Sequence, residues 1–107
     1  MVNFDPAMGT EMKKVRPALI LQNDIANRYS PITIVAAITS KFEMPLYPTE
    51  VMIKNGEAGL HHDSVVLLNQ IRSIDKERLM QRLGSIHTET MEKTGRALRI
   101  SIGIDQV

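Results

Sequence analysis

Short apolar runs that follow one another without an intervening helix most constrain what this chain can fold into. The runs are rich in β-branched residues and are flanked by turn residues; they cover positions 18–21, 32–38 and 64–68. Runs of this length and type are typical of strands that are buried on both faces. Their succession predicts a mainly β fold, a small antiparallel β-barrel rather than a helical bundle.

Local signals divide the rest of the chain into shorter elements. The predicted elements before the C-terminal segment are a strand at 2–5, a strand at 17–22, a turn-rich connection at 23–31, a strand at 32–39, an irregular loop at 42–48, a half-exposed strand at 49–54, a buried strand at 64–68 extended through 70–72, a helical turn at 75–79 and a strand at 80–86. No linker or repeat separates them, so we expect one domain spanning 1–107.

One segment near the C-terminus has the pattern of a longer helix. Thr88 is its predicted N-cap, the helix spans 89–102, and Gly103 is placed to end it. The apolar positions that share one face, which we expect to pack against the barrel, are Met91, Leu98 and Ile102.

Composition narrows the class of protein. The 107 residues contain no cysteine, which excludes a disulfide framework and thiolate metal sites. No apolar run is long enough to cross a bilayer, and the N-terminus lacks a signal pattern, so we expect a soluble cytoplasmic protein. With 13 basic and 12 acidic residues the net charge is +1, so a nucleic-acid partner would need local basic clusters.

Two such clusters exist. The first comprises Lys13, Lys14 and Arg16, and Arg16 stands directly before Pro17 and a predicted strand. The second comprises Arg72, Lys76, Arg78 and Arg82, and we interpret it as a solvated face. With two Phe, two Tyr and no Trp, base stacking is not expected to be the main recognition device.

The first cluster gives the chain its candidate anion site. Arg16, with its forked guanidinium, directly precedes one predicted strand, and the hydroxyl residues Thr39 and Ser40 lie at the end of the next strand along the chain. If the two strands are neighbours, these groups form a small site for a phosphate.

Other catalytic chemistries find little support. His61, His62 and His87 lie in turn-rich or helix-start positions, and we expect all three on the surface. The sequence has no metal-ligand motif and no glycine-rich phosphate loop, so no metal or cofactor is expected.

Several motifs, taken in order, resemble the MazF/PemK family of toxin endoribonucleases. The motifs are Gly-Thr-Glu at 9–11, Val-Arg-Pro at 15–17, Gln-Asn-Asp at 22–24, Asn-Arg at 27–28, Ser-Pro at 30–31, Ile-Val-Ala-Ala-Ile-Thr-Ser at 34–40, the runs at 63–68 and 70–76, and the helix end at 97–103. The resemblance covers essentially the whole chain. It implies a homodimer of SH3-like, CcdB-like barrels that cuts single-stranded RNA at short sequences without a metal. The implied products carry a 2′,3′-cyclic phosphate and a 5′-hydroxyl.

The resemblance also implies partners and site residues. A cognate antitoxin would cover the RNA groove, and operator DNA would be bound only through the antitoxin complex. The family's catalytic arginine and threonine fall on Arg16 and Thr39, and Glu11 is our hypothesis for the general base. The residues expected to bind RNA are Thr10, Met12, Lys13, Lys14, Ser40, Asn69 and Gln70.

The chain also departs from the family pattern. Met12-Lys13-Lys14 replaces a usual Gln-Gly-Gly, and Asn69 replaces a usual Glu; both changes bear on the cleavage sequence and not on the reaction type. We expect the first strand to be N-terminally truncated relative to the family. Two alternatives are a CcdB-like gyrase-binding toxin, which would use a Trp-containing C-terminal segment that this chain lacks, and a non-catalytic small-barrel binding module.

Overall fold

The computed structural model describes residues 1–4 and 15–107, which form six strands and two α-helices. In chain order these are β1 (Val2–Asn3), β2 (Val15–Arg16), β3 (Ala18–Ile20), α1 (Asp24–Tyr29), β4 (Ile32–Thr39), β5 (Glu50–Ile53), β6 (Ser64–Asp75) and α2 (Thr88–Ser101). Strands β1 and β2 pair with each other, and the other four form a sheet in the order β3-β4-β6-β5. Every pairing is antiparallel. The predicted mainly β fold with one main C-terminal helix is confirmed.

The long pairing between β4 and β6 forms the centre of the sheet. Ile32 pairs with Asp75 at one end and Thr39 with Val65 at the other. The register shifts between Ala36, which pairs with Ile71, and Ala37, which pairs with Leu67. Residues 68–70 therefore have no direct partner on β4 and form a bulge, which bends the strand and re-aims its side chains.

The two faces of β4 belong to different apolar clusters. Ala36 and Ile38 join the larger cluster, which also contains residues of β5, β6 and α2. Val35, on the opposite face, joins a smaller cluster with Val2 and Ile74. Burying a valine or isoleucine side chain stabilises the fold by about 1.5–3 kcal/mol.

Burial on both faces was expected for all three apolar runs, and this prediction is wrong for much of two of them. Strand β3 lies at an edge of the sheet, where Ile20 is 41% exposed. In the first half of β4, exposed Ile32 and Ile34 alternate with buried residues. Helix α2 packs on β5 and on β6. Because β5 pairs only with positions 64–67 of β6, this packing lies away from the first half of β4. The run at 64–68 is largely buried, as predicted.

The connection at 23–31 contains a helix that the turn-rich sequence did not predict. The side chain of Asn23 accepts a hydrogen bond from the backbone N–H of Ala26 at 2.8 Å and so caps α1. The buried Thr33 hydroxyl donates to Asn27 Oδ1 at 2.7 Å, and Asn27 Nδ2 donates to the carbonyl of Gln22 at 2.8 Å. These bonds fix α1 against the ends of β3 and β4.

The predicted strand at 80–86 is also wrong, because this segment forms no strand. Its start is held by the N-terminus: Met80 N–H donates to the Met1 carbonyl at 2.9 Å, and the Met1 ammonium donates to the Gln81 carbonyl at 2.7 Å. Further along, a Cβ on Gly84 would lie 2.9 Å from the carbonyl carbon of Ala58. The segment thus packs backbone against backbone on the 3₁₀ turn Glu57–Gly59 instead of pairing in a ladder.

Helix α2 forms where it was predicted, and of the three apolar residues expected to pack, only Leu98 packs against the larger apolar cluster. Its buried residues are Thr90, Thr94 and Ala97, whereas Met91 and Ile102 are 43% and 59% exposed. The Thr94 hydroxyl donates to the carbonyl of Thr90 at 2.8 Å, so its polar group is satisfied within the helix while its methyl group packs. Gly103, at φ +83°, follows the helix end as predicted.

A carboxylate from another element caps the start of α2. His87, one residue before the predicted cap, occupies the N-cap position, and its backbone N–H donates to Glu57 Oε2 at 2.9 Å. Burial opposes ionisation of Glu57. Hydrogen bonds from the Thr90 side chain and from His87 outweigh that effect and hold its pKa below the ordinary carboxyl value. The cap thus ties α2 to the turn before β6.

Candidate active site

The edge between β3 and β4 brings the two ends of the predicted anion site together. Ala18 pairs with Ala37, and the N–H of Ile38 donates to the carbonyl of Pro17 at 3.2 Å. The same register, continued by two residues beyond the Ala18–Ala37 pair, would set Arg16 opposite Thr39. Side chains directly opposite each other in an antiparallel pair point to the same face. The two strands are therefore neighbours, as the anion site requires.

The backbone of Arg16 is held on both sides. Within β2 it pairs with Val2 of β1, which is buried in the smaller apolar cluster. On its C-terminal side Pro17 restricts it to extended conformations. The side chain itself is exposed, and within residues 1–4 and 15–107 no carboxylate forms an ion pair with it. The backbone that carries the guanidinium is thus fixed, and the N–H groups of the guanidinium are available to an anion.

A turn fixes the hydroxyl of Thr39 at the end of β4. The backbone N–H of Lys41 donates to Thr39 Oγ1 at 3.0 Å, and the hydroxyl lies 3.3 Å from the Lys41 carbonyl. Accepting the first bond orients the oxygen, and the second contact is long enough to be exchanged for a better acceptor. The hydroxyl can therefore donate to a phosphate oxygen on this face. Ser40 follows it and is exposed.

The bulge of β6 presents the polar pair Asn69-Gln70 on the other side of β4. Both residues are exposed, and they lie beside the register shift at Ala36 and Ala37. At about 3.3 Å per residue, Thr39 is only about 7–10 Å further along the strand. The structure therefore brings Arg16, Thr39 and this amide pair to one half of the sheet. No local signal in the sequence predicted the bulge.

Five predicted site residues lie outside the described residues. They are the proposed base Glu11 and the expected RNA contacts Thr10, Met12, Lys13 and Lys14.

Two arginines of the cluster that we interpreted as a solvated face also contact the N-terminal residues. The guanidinium of Arg72 lies over the ring of Phe4, 5.2 Å from its centre. Arg78 Nη1 donates to the carbonyl of Asn3 at 3.2 Å. Both contacts join residues about 70 positions apart, so no local sequence pattern could have revealed them.

The histidines are on the surface, as predicted: His61, His62 and His87 are all exposed. Within the described part of the chain, no group of three His, Cys, Asp or Glu residues could hold a metal ion. The helices of that part include none that is long and apolar enough to cross a membrane.

The chain is similar to known proteins in both sequence and fold. Residues 1–102 match the sequence profile of the PemK-like, MazF-like toxins of type II toxin–antitoxin systems. The chain is 45% identical over 102 residues to Endoribonuclease EndoA of Bacillus subtilis (strain 168), an alignment that covers 95% of this chain and 88% of that protein.

Solved structures show the same fold. An endoribonuclease in complex with its cognate antitoxin from a mycobacterial species superposes with a TM-score of 0.77 at 23% identity, covering 94% of this chain and 90% of that chain. A MazE–MazF structure (Form-III) from Deinococcus radiodurans superposes with a TM-score of 0.71 at 25% identity, covering 84% of this chain and 87% of that chain.

Proposed function

Since the chain belongs to the PemK-like, MazF-like family of toxins from type II toxin–antitoxin systems, we propose that it is a sequence-specific endoribonuclease acting on single-stranded RNA. Its substrate would be cellular mRNA, which makes the cytoplasm its site of action. The observation that carries the proposal is the register between β3 and β4, which, continued by two residues, would set the exposed Arg16 opposite the half-buried Thr39 on one face of the sheet.

The proposed reaction needs no group beyond this chain, its substrate and solvent. The ribose 2′-hydroxyl loses its proton and attacks the adjacent phosphorus, the bond to the 5′-oxygen breaks, and the 5′-oxygen takes up a proton from solvent, which leaves a 2′,3′-cyclic phosphate and a 5′-hydroxyl. Negative charge builds on the non-bridging oxygens of the phosphorane. Arg16 would meet that charge with two parallel hydrogen bonds, and the Thr39 hydroxyl would donate a third.

The other assignments rest on the family pattern. Glu11 would take the proton of the 2′-hydroxyl, because a guanidinium stays protonated in proteins and is a poor base. The base contacts would come from the segment Thr10–Lys14 and from Ser40, Asn69 and Gln70. The last pair is supported by its exposure on the bulge of β6.

We further propose a homodimer that a cognate antitoxin neutralises. Large apolar side chains on the surface, among them Ile32 and Ile34 of β4, are available to be buried between two copies. An acidic antitoxin segment would compete with RNA for the groove that contains Arg16. Light scattering at micromolar concentration should give twice the chain mass of 12.0 kDa, and a stable monomer would contradict the dimer.

The experiment that tests the activity is an analysis of RNA ends. Purified protein is incubated with a long single-stranded transcript with and without EDTA, and the new ends are mapped. We expect cuts at a short recurring sequence, a cyclic phosphate on one side and a 5′-hydroxyl on the other, in both samples. An oligonucleotide with a 2′-deoxy nucleotide at the cut position should resist cleavage. A gyrase-binding toxin or a non-catalytic module would leave the transcript intact, and cleavage that EDTA abolishes would require a different mechanism.

A further inference from the structure

Arg72 is an exposed arginine whose guanidinium contacts an aromatic ring. It lies on β6 two residues after the bulge, and the ring of Phe4 holds its guanidinium at 5.2 Å. Within residues 1–4 and 15–107, no carboxylate forms an ion pair with it. A contact through the face of the ring leaves the N–H groups in the guanidinium plane available, because those groups point outward from the fork.

The register puts Arg72 on the face of the sheet that carries the candidate active site. Arg72 pairs with Val35, and Val35 lies four residues before Thr39 on β4, so both point to one face. The distance along the strand is about 13 Å at about 3.3 Å per residue. Arg72 is thus close enough to Thr39 to contact the same bound RNA strand and too far from it to contact the same phosphate.

The smaller apolar cluster connects the two arginines. Val2, which pairs with Arg16, and Phe4, which contacts Arg72, both pack into it. The backbone of Arg16 and the guanidinium of Arg72 are therefore both connected to a single buried cluster.

From this arrangement we propose that Arg72 binds a backbone phosphate that flanks the scissile one, and that Phe4 positions its guanidinium for that contact. The inference rests on the proposed endoribonuclease function and adds a second anchoring point for the RNA. Its role is binding: Arg72 would hold the strand in register with Arg16 and would not contact the reacting phosphorus.

The chain supplies a matched control. Arg28 on α1 is also exposed, and its guanidinium also lies over an aromatic ring, 5.6 Å from the centre of Tyr29. Replacing Arg28 by Gln removes the same charge and the same kind of contact at a position outside the candidate site. Any effect of net charge alone should therefore appear equally in both variants.

The experiment uses an RNA oligonucleotide that spans a cut site mapped on a long transcript. We expect Arg72→Gln to raise KM about tenfold with kcat nearly unchanged, which is the scale for losing one charge-assisted hydrogen bond. Arg28→Gln should leave both constants near the wild-type values. Binding is measured with an uncleavable analogue that carries a 2′-deoxy nucleotide at the cut position. The slope of log K against log salt concentration should be shallower by about 0.7 for Arg72→Gln than for wild type, and it should be unchanged for Arg28→Gln. Phe4→Leu should raise KM by a smaller factor, and Arg72→Lys should recover part of the loss.

A scan with neutral methylphosphonate linkages locates the contact. One linkage next to the cut position should weaken wild-type binding about tenfold and should have no further effect on Arg72→Gln. The proposal is overturned if wild-type binding is insensitive to every flanking linkage, a result that does not depend on how any variant folds. It is also overturned if Arg72→Gln and Arg28→Gln behave alike. Wild-type protein that neither cuts nor binds RNA would instead overturn the proposed function.

Discussion

The cap that Glu57 supplies to α2 makes a testable contribution to stability. Its side chain is only 8% exposed, accepts the backbone N–H of His87 at 2.9 Å and lies 3.7 Å from the His87 ring nitrogen. A further hydrogen bond comes from the Thr90 side chain. Losing a helix cap and a charge-assisted hydrogen bond together costs about 2 kcal/mol. For a domain of this size, Glu57→Ala should then lower Tm by about 8–16 °C.

Glu89 provides the matched control for that change. It is an exposed acidic residue in the first turn of the same helix, and it favours the helix only through the dipole. Glu89→Ala should therefore change the free energy of unfolding by less than about 0.5 kcal/mol. Urea unfolding at one fixed protein concentration measures both variants. Equal effects of the two substitutions, or no effect of Glu57→Ala, would refute the assignment of the cap.

The pH dependence gives the same cap a second signature. The pKa of Glu57 is lower in the folded protein than in the unfolded chain, so the folded state favours the ionised carboxylate. Its contribution is complete above the ordinary carboxyl pKa and is lost as the pH falls through the lower folded-state value. The stability difference between wild type and Glu57→Ala should therefore be constant near neutral pH and shrink as the solution is acidified to about pH 3. A difference that grows on acidification would contradict this sign.

Three further substitutions test the packing and the hydrogen bonds described above. Gly84→Ala should destabilise by about 1–3 kcal/mol in urea unfolding, because its Cβ would lie 2.9 Å from the Ala58 backbone. Gly95→Ala in the middle of α2 meets open space and should instead stabilise by about 0.5–1 kcal/mol; the same sign for both would contradict the packing. Asn27→Ala should cost about 1–3 kcal/mol, because the buried Thr33 hydroxyl loses the acceptor of its bond. A thermal melt unchanged from wild type would refute that role.

Local sequence signals predicted much of the sheet. The strand Ile32–Thr39 has the predicted bounds, and the buried run at 64–68 forms the first part of β6. Gly103 ends α2 because a positive φ favours glycine. In each case the information lies within a few residues, which is the range over which β-branched runs and turn residues act.

Contacts between distant residues account for the errors. The segment 80–86 is apolar enough for a strand, but Met80 and Gln81 form hydrogen bonds with Met1, and Gly84 packs on the backbone of Ala58. In α2 the buried face includes Thr90 and Thr94, because their hydroxyls find partners that a hydrophobicity pattern does not see. The start of the helix is set by Glu57, thirty residues earlier, and no cap signal near Thr88 could show that.

The candidate site divides in the same way. Arg16 and Thr39 could be identified from the sequence, because each stands at the end of an apolar run and matches a family motif. The exposure of Asn69 depends on the bulge in β6, which is a feature of the register in which β4 and β6 pair. The contact between Arg72 and Phe4 depends on how β1 folds over the sheet, and only the structure reveals it.

The cleavage rate of Arg16 variants on one mapped RNA oligonucleotide tests the central claim most directly. If Arg16 stabilises the phosphorane, Arg16→Ala should lower kcat/KM by about 10²–10³, and Arg16→Lys should recover little because an ammonium cannot form two parallel bonds. Thr39→Ala should have a smaller effect, and Arg28→Ala should have almost none. All variants should melt like wild type, since neither Arg16 nor Thr39 belongs to an apolar cluster. A folded Arg16→Ala variant with wild-type activity, or products carrying a 5′-phosphate, would contradict the account.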